Sequence, residues 1–283
     1  MVDRVVVVTD STSYLPRGWA LAESIAVVPV QVIIAGHPYD ETHDDQADVV
    51  SLALEQWQPV TTSRPSPERF LQAFAAAADS GATHVVAVTL SADMSATYES
   101  AVLAAKEAPL PVEVIDSRTI AMGLGFAAVA GARLAATGGS VLDVAEVIRR
   151  RSQSAQVTFY VDTMEYLRRG GRVSAARAAV GNALQVKPLL HIDDGRVAML
   201  EKVRTAGRAL VRLADLAAEC AGSRSVEIAV QHLAAGTRAA ELAVGLRDRL
   251  PLANIVECPV GGVVGAHVGP GMVAVVVSMR DDA

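Results

Sequence analysis

The chain has few aromatic side chains and few cysteines, no excess of positive charge, and no apolar run long enough to cross a bilayer. Aromatic residues make up 4% of its 283 positions although 51% are hydrophobic, so the core must be assembled from Ala, Val and Leu in closely approaching helices and strands. At this length two domains of ordinary size can each bury a core. The two cysteines, Cys220 and Cys258, stand far apart without Cys-x-x-Cys or Cys/His ligand spacing. That excludes a zinc ribbon or a disulfide framework and leaves them as small buried hydrophobes. A formal net charge of −6, with 25 scattered Lys and Arg, provides no field to draw nucleic acid. The longest wholly apolar stretch, residues 120–132, contains Gly123, Gly125 and Gly131; it falls short of the roughly 18 residues a membrane span needs and reads as a buried helix. Asp3 and Arg4 interrupt any signal-peptide pattern, so the cytoplasm is the expected location.

Familiar catalytic signatures are missing as well. There is no Gly-x-Ser-x-Gly elbow, no P-loop and no dinucleotide-binding glycine fingerprint after Val8. Asp10 closes the first strand-like run, where an aspartyl-phosphate enzyme keeps its nucleophile, but position 12, where a second acid is needed, is Thr12. An autonomous phosphohydrolase or phosphotransferase using Asp10, with His267 as acid or base, therefore stands as an alternative without its supporting residues. His37, His43, His84, His191 and His232 show no metal-ligand spacing.

What the chain does contain is three short hydroxyl-rich turns after apolar runs: Asp10-Ser11-Thr12-Ser13, Thr62-Ser63-Arg64-Pro65-Ser66, and the segment from Ser91 through Ser95 to Tyr98. In an open parallel sheet such turns converge outside the carboxyl ends of the strands, where ligands bind. Neutral hydroxyls can hold a carboxylate or phosphate without burying a counter-charge, which suits holding better than cleaving. Runs at 5–8, 84–89 and 112–115, with helical segments between them, predict a parallel-sheet α/β domain over residues 1–155. Runs at 158–161, 196–201, 226–231 and 272–279, with unequal connections, predict a mixed-sheet α/β domain over 156–283. Asp193-Asp194-Gly195 is a hairpin signal.

Local signals place the helix ends. Ser66 before Pro67 predicts an N-cap with proline at the first helical position, and Ser95 stands before another helix. Ser140 to Asp143 is a capping box for a helix ending at Arg149-Arg150-Arg151, a triplet that suits the negative end of the macrodipole or, alternatively, a phosphate or nucleic acid. Thr205 is a candidate cap. Arg168-Arg169-Gly170-Gly171-Arg172-Val173-Ser174 is either an anion nest with guanidinium forks or a solvated helix end with a glycine cap. His267, before Gly269-Pro270-Gly271, is either an ordinary histidine or one aimed by the turn into a cleft.

Taken together, these residues resemble the DegV family, bacterial fatty-acid-binding proteins that serve as the acyl-carrying subunit of fatty acid kinase. The resemblance covers nearly the whole chain. It is carried by Val8-Thr9-Asp10-Ser11-Thr12, Thr62-Ser63-x-Pro65-Ser66-Pro67, Ser91 with Ser95-x-Thr97-Tyr98, Asp116-Ser117, Met122-Gly123-Leu124-Gly125, the Arg169–Ser174 segment, Lys187-Pro188, Lys202-Val203-Arg204-Thr205 and His267 to Gly271. It implies two α/β domains, with a long-chain fatty acid between them and its tail in an apolar tunnel. Thr62 and Ser95 match the residues that hold the carboxyl group, and Arg172, Arg204 and His267 the basic rim at which a phosphate is added. Asp10, Ser11 and Ser63 form a secondary polar turn. The implied partner is the ATP-binding subunit of fatty acid kinase, which brings ATP and Mg, so that the chain itself needs no cofactor and catalyses nothing alone. The acyl phosphate would feed phospholipid synthesis, with room for transient membrane contact. A carrier or sensor that needs no kinase is a third reading. The sequence departs from the commoner family pattern at Arg64, where glutamine is usual, and at Ala92 and Ala96.

Overall fold

The computed structural model describes residues 3–41, 46–172 and 186–280. Its centre is β1 (Val5–Asp10), whose continuous β-branched side chains suit a strand covered on both faces. Around it lies a four-stranded parallel sheet in the order β2 (Ala26–Val28), β1, β6 (His84–Thr89), β7 (Val112–Asp116). Helices α3 (Pro67–Asp79) and α4 (Thr97–Ala105) cover one face through Phe70, Phe74, Ala101 and Ala104. Helices α5 (Met122–Ala136) and α6 (Val141–Ser154) cover the other.

The far side of α5 and α6 meets a six-stranded sheet through Val157, Ala229 and Val276. Its order is β10 (Arg196–Val203), β9 (Lys187–Asp193), β8 (Gln156–Tyr160), β13 (Val273–Met279), β11 (Val226–His232), β12 (Asn254–Pro259). Only β11 and β12 pair in parallel, so the sheet is mixed. Helices α8 (Ala206–Ala221) and α9 (Gly236–Arg249) close its outer face. The α5/α6 layer is thus buried between two sheets, which is why residues 120–132 are apolar all round. Small residues permit the close crossing: a Cβ on Gly131 would stand 2.5 Å from Ile148 Cδ1. Among the described residues no helix is long and apolar enough to cross a membrane.

The parallel and mixed sheets match the sequence-based expectation. Ser140 and Asp143 form the capping box, Thr205 Oγ1 accepts from Arg208 N, and Asp194-Gly195 turns β9 into β10 with φ of 45° and 81°. Other details differ. α6 runs on to Ser154, so the arginine triplet does not end it. Arg149 pairs with Glu113, and the buried Arg151 pairs with Glu227 on β11. Ser66 is the N-cap of α3 with Pro67 in the first turn, as expected, although its hydroxyl accepts no backbone N–H of that helix; Ser95 stands before α4 as expected, with Ala96 between them at the cap position.

A third, antiparallel sheet was not anticipated: β4 (His37–Asp40), β3 (Gln31–Ile34) and β5 (Val60–Ser63), beside α2 (Gln46–Glu55). Thr62 and Ser63 are therefore strand residues of this small sheet and not a turn following a parallel strand. Pairing of Val32 with Thr62 sets their position.

Candidate functional site

The two larger sheets and the small one leave between them a cavity of about 860 Å³, mouth included. Its apolar wall is shared widely. Phe159 comes from β8, Ile192 from β9, Val197 from β10, Val263 and Val268 from α10 (Gly262–Val268), and Leu167 from α7 (Glu165–Arg169). Leu90, Met94, Ile120 and Met272 add loop residues. The polar side chains lining it are Thr62, Ser63, Arg64, Ser95, Arg172 and His267.

Two of these side chains are bonded to each other and the others are held by neighbouring groups. Thr62 Oγ1 lies 2.9 Å from His267 Nε2, and the Ser95 and Thr97 hydroxyls are 2.9 Å apart. Arg172 donates from Nε to Met94 O at 3.3 Å and from Nη1 to Gly170 O at 2.6 Å. Burial, with the Arg172 charge second, holds the His267 imidazole down at about 4, so it is neutral near pH 7. Its Nδ1 is shielded and has no hydrogen-bond partner among the described residues; a Cβ on Gly170 would come within 2.1 Å of it. Gly170 has helical φ of −69°, so glycine is needed there for close approach and not for backbone conformation. This gives the Arg169-Gly170-Gly171-Arg172 motif a concrete task, seating the imidazole. Val173 and Ser174 lie outside the described residues.

Thr62, Ser63, Ser95, Arg172 and His267 are thus brought to one cavity. Asp10, Ser11 and Arg204 are not among its lining residues. Arg204 is exposed in the connection from β10 to the Thr205 cap. Asp10 is fully buried: Oδ1 accepts from Thr12 N and Oγ1, and Oδ2 from Leu90 N. Burial raises its carboxyl to about 6 against those bonds. A nucleophile needs an accessible oxygen, and this carboxylate is spent on holding the turn after β1 to the turn after β6. The same geometry weighs against Asp10 as partner of His267 in a phosphohydrolase.

Ser11 belongs to a network that sequence reasoning missed. Its Oγ accepts from Val30 N and donates to Glu41 Oε2 at 2.6 Å. Glu41 Oε1 accepts from Tyr14 Oη at 3.1 Å and Val263 N at 2.8 Å, and Tyr14 Oη accepts from Val264 N. Glu41 is buried, which pushes its carboxyl up to about 7. The network anchors the first turn of α10, the helix that carries His267. Nothing local marks Glu41, because its partners lie 30, 27 and 222 positions away. On the opposite wall Ser91 Oγ donates to Gly195 O at 2.7 Å, docking the β9–β10 hairpin on the third hydroxyl turn. Among the described residues no group of three His, Cys, Asp or Glu is placed to hold a metal ion.

A family model described as "Uncharacterised protein, DegV family" matches residues 4–280. The chain belongs to the DegV family. The resemblance carried by the motifs is thereby confirmed. A DegV domain-containing protein of Streptomyces coelicolor is 48% identical over 281 residues, covering 99% of this chain and 100% of the relative. One from Mycobacterium tuberculosis is 36% identical over 277 residues, covering 97% of each. Among solved structures, a DegV family protein from Thermus thermophilus described as binding fatty acid is 28% identical with a TM-score of 0.89, covering 98% of this chain and 100% of that one. DegV from Bacillus subtilis, described as a fatty acid binding protein, is 28% identical with a TM-score of 0.90 and the same coverage.

Proposed function

We propose that this DegV protein holds a long-chain fatty acid in the cavity and presents its carboxylate to the ATP-binding subunit of a fatty acid kinase. The observation that carries the reading is a single cavity whose extensive apolar wall meets a compact polar cluster, a shape that suits an amphiphile with one small head group. Fatty acid binding by the relatives from Thermus thermophilus and Bacillus subtilis supports it. A chain of about 14 methylenes contributes roughly 11 kcal/mol of transfer free energy at about 0.8 each, whereas a hydroxyl hydrogen bond adds about 1. The tail supplies affinity and the hydroxyls set orientation.

In this reading Thr62 and Ser95 donate to the carboxylate. A neutral His267 with its hydrogen on Nε2 donates to Thr62 Oγ1, freeing the threonine hydrogen for the ligand. Neutral donors leave a carboxylate oxygen nucleophilic enough to attack the terminal phosphorus of ATP, with ADP leaving and an acyl phosphate formed. ATP and Mg come with the kinase. Arg172, at the cavity surface, stabilises the charge that develops on the transferring group. Arg204, outside the cavity, has no part in holding the head group. The acyl phosphate then serves phospholipid synthesis, and the chain alone catalyses nothing.

Native mass spectrometry of the protein purified from cells, followed by solvent extraction, tests the ligand. One fatty acid per chain is expected; a protein that carries none and takes up none on incubation overturns the reading. Arg172→Ala should slow acyl phosphate formation far more than it weakens binding. Equal losses in both assays would make Arg172 a capture or folding residue.

A further inference from the structure

Arg64 stands where two spaces meet. It lines the apolar cavity and also an adjoining polar groove of about 680 Å³ walled by Gln31, Asp40, Ser63, Ser66 and Arg69. Ser63 and Arg64 are common to both. Arg69 is tied to Asp40 at 2.7 Å, and Asp40 also accepts from Gln31 Nε2. Arg64 has no carboxylate partner among the described residues; its Nη1 makes a 3.5 Å contact to Ala96 O, at the limit of a hydrogen bond. Arg172 reaches Met94 O from its own position. Two guanidinium groups thus contact the backbone on either side of Ser95, and among the described residues neither pairs with an acid.

We infer that Arg64 and the groove beside it form a subsite for a phosphoryl group, so that the site holds an acyl phosphate more tightly than the fatty acid from which it is made. This rests on the proposed function: with the chain in the cavity and the carboxyl at Thr62 and Ser95, a group attached to the carboxyl extends past Ser63 into the groove. Hydroxyls suffice for a carboxylate, but a phosphoryl group brings more charge and three acceptor oxygens, which the planar fork of arginine matches. A neutral glutamine at position 64 lacks that charge.

The test is displacement of a fluorescent fatty acid from the full chain by palmitate and by hexadecylphosphonate, a stable mimic of equal chain length. The wild-type protein should favour the phosphonate by about tenfold or more, a preference that Arg64→Gln should erase and Arg64→Lys partly keep. An unchanged phosphonate-to-palmitate ratio in Arg64→Gln, with its melting temperature showing the variant folded, overturns the inference, as does a wild type with no preference. Lysophosphatidate carries its phosphate a glycerol further out, and its preference should not depend on Arg64; a loss as large as the phosphonate's would mean a lipid head group is what the subsite reads. Failure of the fluorescent fatty acid itself to bind refutes the proposed function instead.

Discussion

Glu41→Gln isolates the buried network behind the cavity wall. In the folded protein the Glu41 carboxyl is pushed up to about 7 from an ordinary 4.5, chiefly by burial. Below pH 4.5 it is protonated in both states. As pH rises through the window from 4.5 to 7, the unfolded chain releases the proton and the folded one keeps it, so this contribution to stability is lost and levels off above pH 7. At about 1.4 kcal/mol per pH unit the window amounts to about 3 kcal/mol. Glutamine does not titrate, and its carbonyl can accept from Val263 N and Tyr14 Oη while its amide faces Ser11. Asp10, raised to about 6, acts with the same sign, and His267, lowered to about 4, loses stability in the opposite direction, as pH falls. Both are present in wild type and variant, so they largely cancel in the difference. Urea denaturation of the two proteins between pH 4.5 and 7.5 is the assay. The variant should gain on wild type by about 3 kcal/mol across the range. A difference flat with pH would show that Glu41 carries no desolvation penalty; one that falls with pH would show its charge to be stabilised.

Three further outcomes follow from the geometry. Ser95→Ala should weaken fatty acid binding by about 1 to 2 kcal/mol in calorimetry; unchanged affinity removes Ser95 from the head-group site. Gly170→Ala places a methyl 2.1 Å from His267 Nδ1 without straining the backbone. It should expel the imidazole from Thr62 and move its titration by NMR from about 4 toward the ordinary histidine value; a histidine still titrating near 4 means the turn yields instead. Glu227→Ala strands the buried Arg151 and should cost about 3 kcal/mol or more of stability by denaturant unfolding, and a loss under about 1 kcal/mol would mean water already solvates that arginine.

Where chemistry is local, the sequence was informative. The β-branched runs of β1, β6 and β7 have no other good home than a covered parallel sheet. Asp194-Gly195 supplies two consecutive positive φ values, which the hairpin requires. Residues 120–132 carry no polar face and so had to be buried on all sides. Strands β3, β4 and β5 escaped notice because each is four residues long, too short for alternation to show, and β4 contains Pro38. That omission mislocated Thr62 and Ser63 as turn residues, although their chemistry was read.

The residue types that line the candidate site were thus written in the chain: two hydroxyls, a histidine beside a glycine turn, and a glycine pair between arginines. Which of them meet was decided only by packing. Thr62 finds His267 across 205 positions because the small sheet and α10 close on the same cavity, while Arg204, equally basic and carried in an equally clear motif, faces solvent beyond it. Glu41 and Asp10 became structural because burial used up their oxygens. Composition and periodicity specify what each segment must hide or expose, but a long-range contact depends on how separate layers stack, and that is a property of the assembled core.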